Sequence, residues 1–234
     1  MEPSELKDSI ITKVEKQKRS KYRYNLFVNE EYAFSVHEDT MIKYRLFKGE
    51  RIDPQRVQLI MQDEEKQKSI TKALQMIGRR PHSILEIKRK LKQHGFEPET
   101  IDWTIEKLKQ QNYINDEDFA RALTENRVYT QRKGRNYVRK ELQQRGVAKE
   151  FIQDAMDRIN PEEEYLGALT LAKKKWELTS GTQQDKRRKT LSFLMRRGFT
   201  GAVVNKVLQE VSNGYDDEED GFADLDEPLD DSYN

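Results

Sequence analysis

Apolar residues recur with period two through the first forty positions of the chain and with near-helical spacing after that. Ile10, Thr12 and Val14 alternate with polar residues, as do Tyr22, Tyr24, Leu26 and Val28, and then Tyr32, Phe34 and Val36. Alternating aromatic and β-branched side chains mark half-buried strands. The pattern predicts an antiparallel meander of three strands, with the basic stretch Lys16 to Lys21 as its first turn and Asn29-Glu30-Glu31 as its second. Three short strands are marginal by themselves. The amphipathic stretch Asp39–Phe47, with Met41, Ile42, Tyr44 and Leu46, is therefore predicted as a helix packed on one face of the sheet.

Asp53-Pro54 begins a second helix: the Asp carboxylate accepts free amides of the first turn, and Pro at the first helical position has no amide to satisfy. Val57, Ile60 and Met61 hold helical spacing. Gln62 to Ser69 then contains no apolar side chain, and a helix polar on all sides usually bridges domains through solvent. A domain boundary is accordingly predicted here, between 62 and 63.

From Ile70 the chain repeats itself. Leu91-Lys-Gln-His-Gly95-Phe96, Leu142-Gln-Gln-Arg-Gly146-Val147 and Leu194-Met-Arg-Arg-Gly198-Phe199 share the pattern Leu-x-x-x-Gly-apolar. Apolar residues follow in common register: Ile101, Ile152 and Val204, then Ile105, Met156 and Leu208, then Leu108, Ile159 and Val211. Self-similarity at a fixed period of about fifty residues identifies a repeated structural unit. In each copy a helix ends at a left-handed Gly, a turn leads into a second amphipathic helix, and a further helix precedes the pair. The preceding helices carry Ala73, Leu74 and Ile77; Phe119, Ala120 and Leu123; and Tyr165, Leu169 and Ala172. The predicted organisation is an α+β region at 1–62, three-helix units at 63–115, 116–160 and 161–213, and a segment at 214–234. The fold class is mainly α, with the tandem units forming an elongated curved stack.

Composition sharpens this picture. Of 234 residues 35% are hydrophobic and 36% charged, against typical values of about 45–50% and 25%. So thin a core suits small helical units in a row better than one large globule. The net charge of +1 conceals an asymmetry: residues 212–234 hold ten acidic side chains and no Lys or Arg, which leaves 43 basic against 32 acidic side chains in the rest, a body at +11. Such a division is expected of a chain that meets nucleic acid and also carries its own polyanion. With almost nothing to bury, the acidic tail is expected to be disordered. It could fold back on the basic body as a mimic of DNA. The chain has no cysteine, which excludes disulfides, thiolate metal sites and cysteine nucleophiles. Met1-Glu2-Pro3-Ser4-Glu5 lacks the character of a signal peptide, and nowhere do eighteen apolar residues run together. A cytoplasmic protein without a membrane partner is expected.

Candidate chemistry is sparse. His37, His82 and His94 are too widely spaced to share a helical face and are read as solvated, so no metal ligand is assigned. Neither phosphate-cradling glycine motif occurs, and Asp116 and Asp118 are explained by a helix N-terminus. No catalytic residue and no cofactor is expected, and the chain is read as a non-enzyme. Trp103, Tyr113, Phe119, Tyr137, Phe151, Trp176 and Phe193 fall mostly at core spacing, with Tyr129 and Tyr137 beside a basic loop. What recurs is positive charge: Arg79, Arg80, Lys88, Arg89, Lys90 and Lys92 in the first unit, Arg132, Lys133, Arg135, Arg139 and Lys140 in the second, Lys186, Arg187, Arg188 and Lys189 in the third. Stacked units would align these into one basic ribbon, attractive to phosphate backbones without reading sequence.

Several of these segments resemble one family. Arg79-Arg80-Pro81-His82-Ser83, the Leu91-to-Gly95 turn, Tyr113-Ile114-Asn115-Asp116-Glu117-Asp118-Phe119-Ala120, Lys133-Gly134 and Glu141-Leu142-Gln143-Gln144-Arg145-Gly146-Val147 are similar to RecX, the bacterial regulator of the RecA recombinase. The resemblance covers roughly 70 to 211. The N-terminal region is similar, less specifically, to longer forms from Gram-positive bacteria, and the acidic tail departs from the pattern. The resemblance implies tandem three-helix repeats, binding along the RecA–DNA filament, and restraint of filament growth, ATP hydrolysis and strand exchange in recombination, DNA repair and the SOS response. It also implies a monomer that contacts single- and double-stranded DNA. The competing reading is a free-standing basic DNA-binding or architectural protein that needs no RecA.

Overall fold

A computed structural model describes residues 9–220, with side chains through 213. The chain forms two compact units, residues 1–114 and 115–234.

The first unit opens with β1 (Ser9–Lys16), β2 (Arg23–Val28) and β3 (Glu31–His37), followed by α1 (Glu38–Lys43) and the two-residue β4 (Arg51–Ile52). The sheet has four strands in the order β3-β2-β1-β4, each neighbouring pair antiparallel, so the predicted meander gains an edge strand. Between the paired residues Val28 and Glu31, Asn29 and Glu30 have φ of 49° and 72°. Two successive left-handed residues give the hairpin turn whose twist matches that of the strands. Ile11, Leu26, Val28, Phe34 and Val36 point to one face and form a core with Met41, Leu46, Ile52, Val57 and Ile60. The helix expected over Asp39–Phe47 is shorter: α1 stops at Lys43, because Arg45 takes φ +47° to carry Leu46 back into the core. Ile42 and Met61, expected on apolar faces, are exposed.

Asp53 caps α2 (Pro54–Ile77) by accepting from the Arg56 amide at 2.8 Å, with Pro54 as the first helical residue. This helix runs unbroken for 24 residues through the predicted boundary at 62/63. The stretch 62–69 is not a solvated bridge, because Glu64 is 1% exposed and Ser69 is fully buried. Glu64 pairs with Arg23 and accepts the His37 amide at 2.8 Å, while Thr104 donates to Ser69 at 2.9 Å. The N-terminal half of α2 supplies Val57 and Ile60 to the sheet core. Its C-terminal half supplies Ala73 and Met76 to a second core, completed by α3 (Ile84–Gln93) and α4 (Pro98–Gln110) through Ile87, Leu91, Ile101, Ile105, Leu108 and Ile114.

The second unit holds two further three-helix repeats. One comprises α5 (Asp116–Glu125), its five-residue π-helical continuation Asn126–Thr130, α6 (Arg135–Gln144) and α7 (Lys149–Asp157). The other comprises α8 (Pro161–Glu177), α9 (Gln183–Arg196) and α10 (Gly201–Asp220). Helix α10 continues seven residues past the predicted end of the unit at 213, so the start of the acidic segment is helical backbone. The remainder of the expected disordered tail, 221–234, lies outside the described residues.

The repeated Leu-x-x-x-Gly-apolar motif closes each middle helix in the same way. Gly95, Gly146 and Gly198 have φ of +83°, +74° and +89°. The amides of Phe96, Val147 and Phe199 donate back to the carbonyls of Leu91, Leu142 and Leu194 at 3.3, 3.1 and 3.3 Å. This six-to-one bond is the Schellman closure, in which the residue after Gly also packs against the helix it ends. All three Leu are fully buried, and the residues six, ten and thirteen positions after each Gly are buried as well. No helix among the described residues is long and apolar enough to cross a membrane.

Candidate nucleic-acid interface

Several basic residues of the second unit gather where its two repeats meet. Five π-helical residues extend α5 and deliver the chain to Arg132, whose φ is +50°. From there the loop turns into α6. Gly134 donates its amide to the Arg197 carbonyl at 3.0 Å and Asn136 donates to the Gly198 carbonyl at 3.0 Å, so the loop is bonded to the Gly turn between α9 and α10. Arg197 returns the contact through its guanidinium, which donates to the carbonyls of Gln131 at 2.9 Å and Arg132 at 3.3 Å. A Cβ on Gly134 would lie inside 3.0 Å of the Phe199 amide nitrogen and the Gly198 carbonyl, and one on Gly198 inside 3.0 Å of Tyr137. Both positions thus require glycine for close backbone approach, Gly198 additionally for its φ.

The N-terminus of α6 has no cap from its own loop. Glu164 of α8, 2% exposed, takes that place: it accepts the Arg135 amide at 3.0 Å and the Arg135 Nε at 2.7 Å. A buried carboxylate at a helix N-terminus is stabilised by the free amides and by its cationic partner together. Arg135, among the candidate contact residues, is therefore committed to joining the repeats.

Beside this junction lies a groove of about 760 Å³, between α6 and the end of α9. Lys140, Arg145 and Arg196 line it, with Asn136 and Tyr137 at one end. Its one lining carboxylate, Glu141, accepts from Arg127 at 2.7 and 2.8 Å and from Arg145 at 2.7 Å. The Arg127 guanidinium, assisted by Arg145, holds the Glu141 carboxyl below the usual carboxylate range although burial acts in the opposite sense. Two guanidiniums against one carboxylate leave the groove positive. Lys133 stands 4.3 Å over the Tyr137 ring, and the tyrosine is 36% exposed. A cation on the face of an exposed aromatic ring is held in place without losing its charge. Tyr129, the other aromatic marked beside this loop, is bound through its hydroxyl to the Asn160 amide at 3.3 Å.

Lys140 lines the groove, Lys133 stands over Tyr137 at its end, and the stem of Arg132 lies against Gly167 of α8. Lys186, Arg187, Arg188 and Lys189 do not line the groove. They stand on the first turns of α9, nine to twelve residues before the Gly turn, about 14–18 Å along the helix axis. Counting back seven residues from each Gly shows why: Lys88 and Arg139 correspond, but the third unit has Leu191 there. The third cluster ends two residues before that position, at Lys189. In its place the structure brings in Arg196, with Arg145 and Arg197, which lie inside the Leu-x-x-x-Gly motifs themselves. The sequence signal for them is the basic residue immediately before Gly146 and Gly198.

In the first unit, Arg80 forms a two-pronged pair with Glu86 at 3.1 and 3.3 Å and Lys88 pairs with Asp102 at 2.6 Å, whereas Arg79 and Arg89 are exposed. His82, expected to be solvated, is 7% exposed. Its Nδ1 lies 2.8 Å from the Arg80 carbonyl and its Nε2 3.3 Å from Lys90 Nζ. Burial pushes its pKa down, so the neutral ring donates through Nδ1 and accepts the lysine proton at Nε2. Trp103 and Tyr113, expected in the core, are 39% and 53% exposed, whereas Phe119 and Trp176 are buried. Among the described residues no group of His, Asp or Glu side chains has the arrangement to hold a metal ion.

Comparison with known proteins agrees with this architecture element by element. The Regulatory protein RecX N-terminal domain matches residues 9–53, and the first, second and third three-helix domains of RecX match 70–108, 115–156 and 162–208. The Regulatory protein RecX of Listeria welshimeri is 30% identical over 207 residues, covering 88% of this chain and 77% of that protein. That of Clostridium perfringens is 30% identical over 206 residues, covering 87% and 96%. A crystal structure of regulatory protein RecX superposes with a TM-score of 0.68 at 28% identity, over 85% of this chain and 98% of the other. The match covers the strand-bearing region, where the sequence resemblance is less specific, as well as the helical repeats. With its sheet, its three glycine-closed helical repeats and these relatives, the chain belongs to the RecX family of regulatory proteins.

Proposed function

We propose that the protein binds RecA–DNA filaments in the cytoplasm and restrains their growth, ATP hydrolysis and strand exchange, as a monomer and without catalysing a reaction. The observation that carries this reading is the groove between α6 and α9, where Lys140, Arg145 and Arg196 converge beside Lys133 and Arg132 with one carboxylate already neutralised. Such a surface suits the phosphate backbone of single- or double-stranded DNA, which offers charge at regular intervals and needs no sequence readout. A rigid junction beneath it, with two repeats joined by Glu164 and the Gly134–Gly198 approach, holds the cations at fixed spacing. Exposed Arg79 and Arg89, and the cluster Lys186 to Lys189, would extend contact along the filament.

The test is inhibition of RecA strand exchange by a variant carrying Arg132→Glu, Lys133→Glu, Lys140→Glu and Arg196→Glu, leaving Arg135 to its structural pair. Inhibition should be lost at physiological salt while the circular dichroism spectrum is retained. Unaltered inhibition would remove the groove from the mechanism. Stronger affinity for bare DNA than for RecA-coated DNA in one buffer would favour action without RecA.

A further inference from the structure

The first turn of the sheet is strongly basic, and the filament reading leaves it without a role. Lys18, Arg19 and Lys21 occupy the hairpin between β1 and β2, all exposed and with no acidic residue between Lys16 and Arg23. Beneath the hairpin, α2 passes on beyond the sheet core, and between them lies a cavity of about 320 Å³. Lys68 and Lys72 line it from α2, one helical turn apart, with Gln67, Thr71 and Gln75 on the same stripe. Tyr22 lines it from the hairpin, 54% exposed, its ring centroid 6.1 Å from that of His37. The floor is Glu64, which is paired to Arg23 and bonded to the His37 amide, so the one carboxylate of the cavity is already neutralised.

We propose that this cavity binds a segment of single-stranded nucleic acid, with phosphates held by the hairpin cations and by Lys68 and Lys72 and one base stacked on Tyr22. Lys68 and Lys72 make the α2 wall positive, and the exposed Lys18, Arg19 and Lys21, outside the lining itself, flank the lining residues Ser20 and Tyr22, where a polyanion leaving the cavity can meet them. An aromatic ring exposed over half its surface, braced by a second ring, provides a platform that a base can use only when it is free of a duplex. Glutamines and a threonine between the lysines leave the wall polar without opposing charge. The site lies wholly in the first unit and does not depend on the groove between α6 and α9.

The test uses the full chain and a short fluorescein-labelled oligothymidine. By anisotropy, Tyr22→Ala should weaken binding at least about fivefold, the low end for loss of one stacked base, and Tyr22→Phe should restore it. Lys68→Gln with Lys72→Gln should lower the slope of log affinity against log salt by roughly 1.4, two phosphate contacts at about 0.7 each. An oligothymidine carrying 5-iododeoxyuridine should cross-link on irradiation to the peptide containing Tyr22, and should still do so when Lys140 and Arg196 are reversed to Glu. Cross-links confined to residues 115–213, or variants with unchanged affinity and salt slope, would overturn the proposal. So would a duplex of equal length that displaces the cross-linking strand as effectively as unlabelled single strand does.

Discussion

Replacing Gly134 by Ala tests the junction between the second and third repeats. The φ of Gly134 is −75°, a value every residue adopts, so backbone preference offers no reason for glycine. The reason is space: a Cβ would meet the Phe199 nitrogen and the Gly198 carbonyl carbon and oxygen, all backbone atoms that cannot rotate away. Relief requires the loop and the turn to part by about 1 Å. That would weaken the bonds from Gly134 to Arg197 and from Asn136 to Gly198, each 3.0 Å long. Two hydrogen bonds at about 0.5–1.5 kcal/mol each, with overpacking at about 1–3 kcal/mol, give a loss of roughly 2–6 kcal/mol. At about 4 °C per kcal/mol the unfolding midpoint of the second unit should fall by at least about 8 °C. Trp176, 1% exposed in the core of the third repeat, reports that transition by fluorescence once Trp103 of the first unit is replaced by Phe. Gly201→Ala is the control: nothing lies within 4 Å of its added Cβ, and Ala at the start of α10 should be neutral or slightly stabilising. If Gly134→Ala behaves like Gly201→Ala, the close approach does not hold the repeats together and the reasoning fails.

Other expectations follow from the same geometry. Thr190 occupies the core position that Ile87 and Val138 hold in the other repeats, and its buried hydroxyl lacks a partner; Thr190→Val should raise stability by about 1 kcal/mol in urea unfolding. Glu164→Ala removes the cap of α6 and strands Arg135, and should cost about 3 kcal/mol by the same measurement. His82 has a folded pKa below its unfolded value of about 6.5, so the unfolded chain takes up the proton first. The stabilisation is complete above that pH and is lost as pH falls through and below it. Thermal midpoints across this range should therefore decline in the wild type and flatten in His82→Gln. Removing residues 214–234, with their ten acidic side chains, should raise affinity for bare DNA and steepen its salt dependence; no change in either would leave the segment without a part in DNA binding.

The repeats were legible because the feature that defines them is local. A helix that ends in a Schellman turn needs its Leu, Gly and following apolar residue within six positions, and three copies in register announce themselves. The strands were legible for the same reason, apart from Arg51-Ile52, whose single buried side chain leaves no alternation to read. Features made by distant residues were hidden. Gln62 to Ser69 reads as solvated because nothing nearby shows that Arg23, 41 residues away, will neutralise Glu64. Gly134 looks like a turn glycine, whereas its requirement comes from Phe199 and Gly198. The charge clusters were easy to count but not to place: Arg135 is drawn inward by Glu164, and the third cluster stands near the start of α9, away from the groove.

The unbroken α2 has a consequence for how the first unit can be divided. A single rod of 24 residues donates one end to the sheet and the other to a helical core, so neither core can be excised with its own complement of side chains. A truncation starting at residue 63 would strip Val57 and Ile60 from the rod and leave Glu64 without Arg23 at a frayed end. The strand-bearing region should therefore melt together with the first repeat, as one cooperative block.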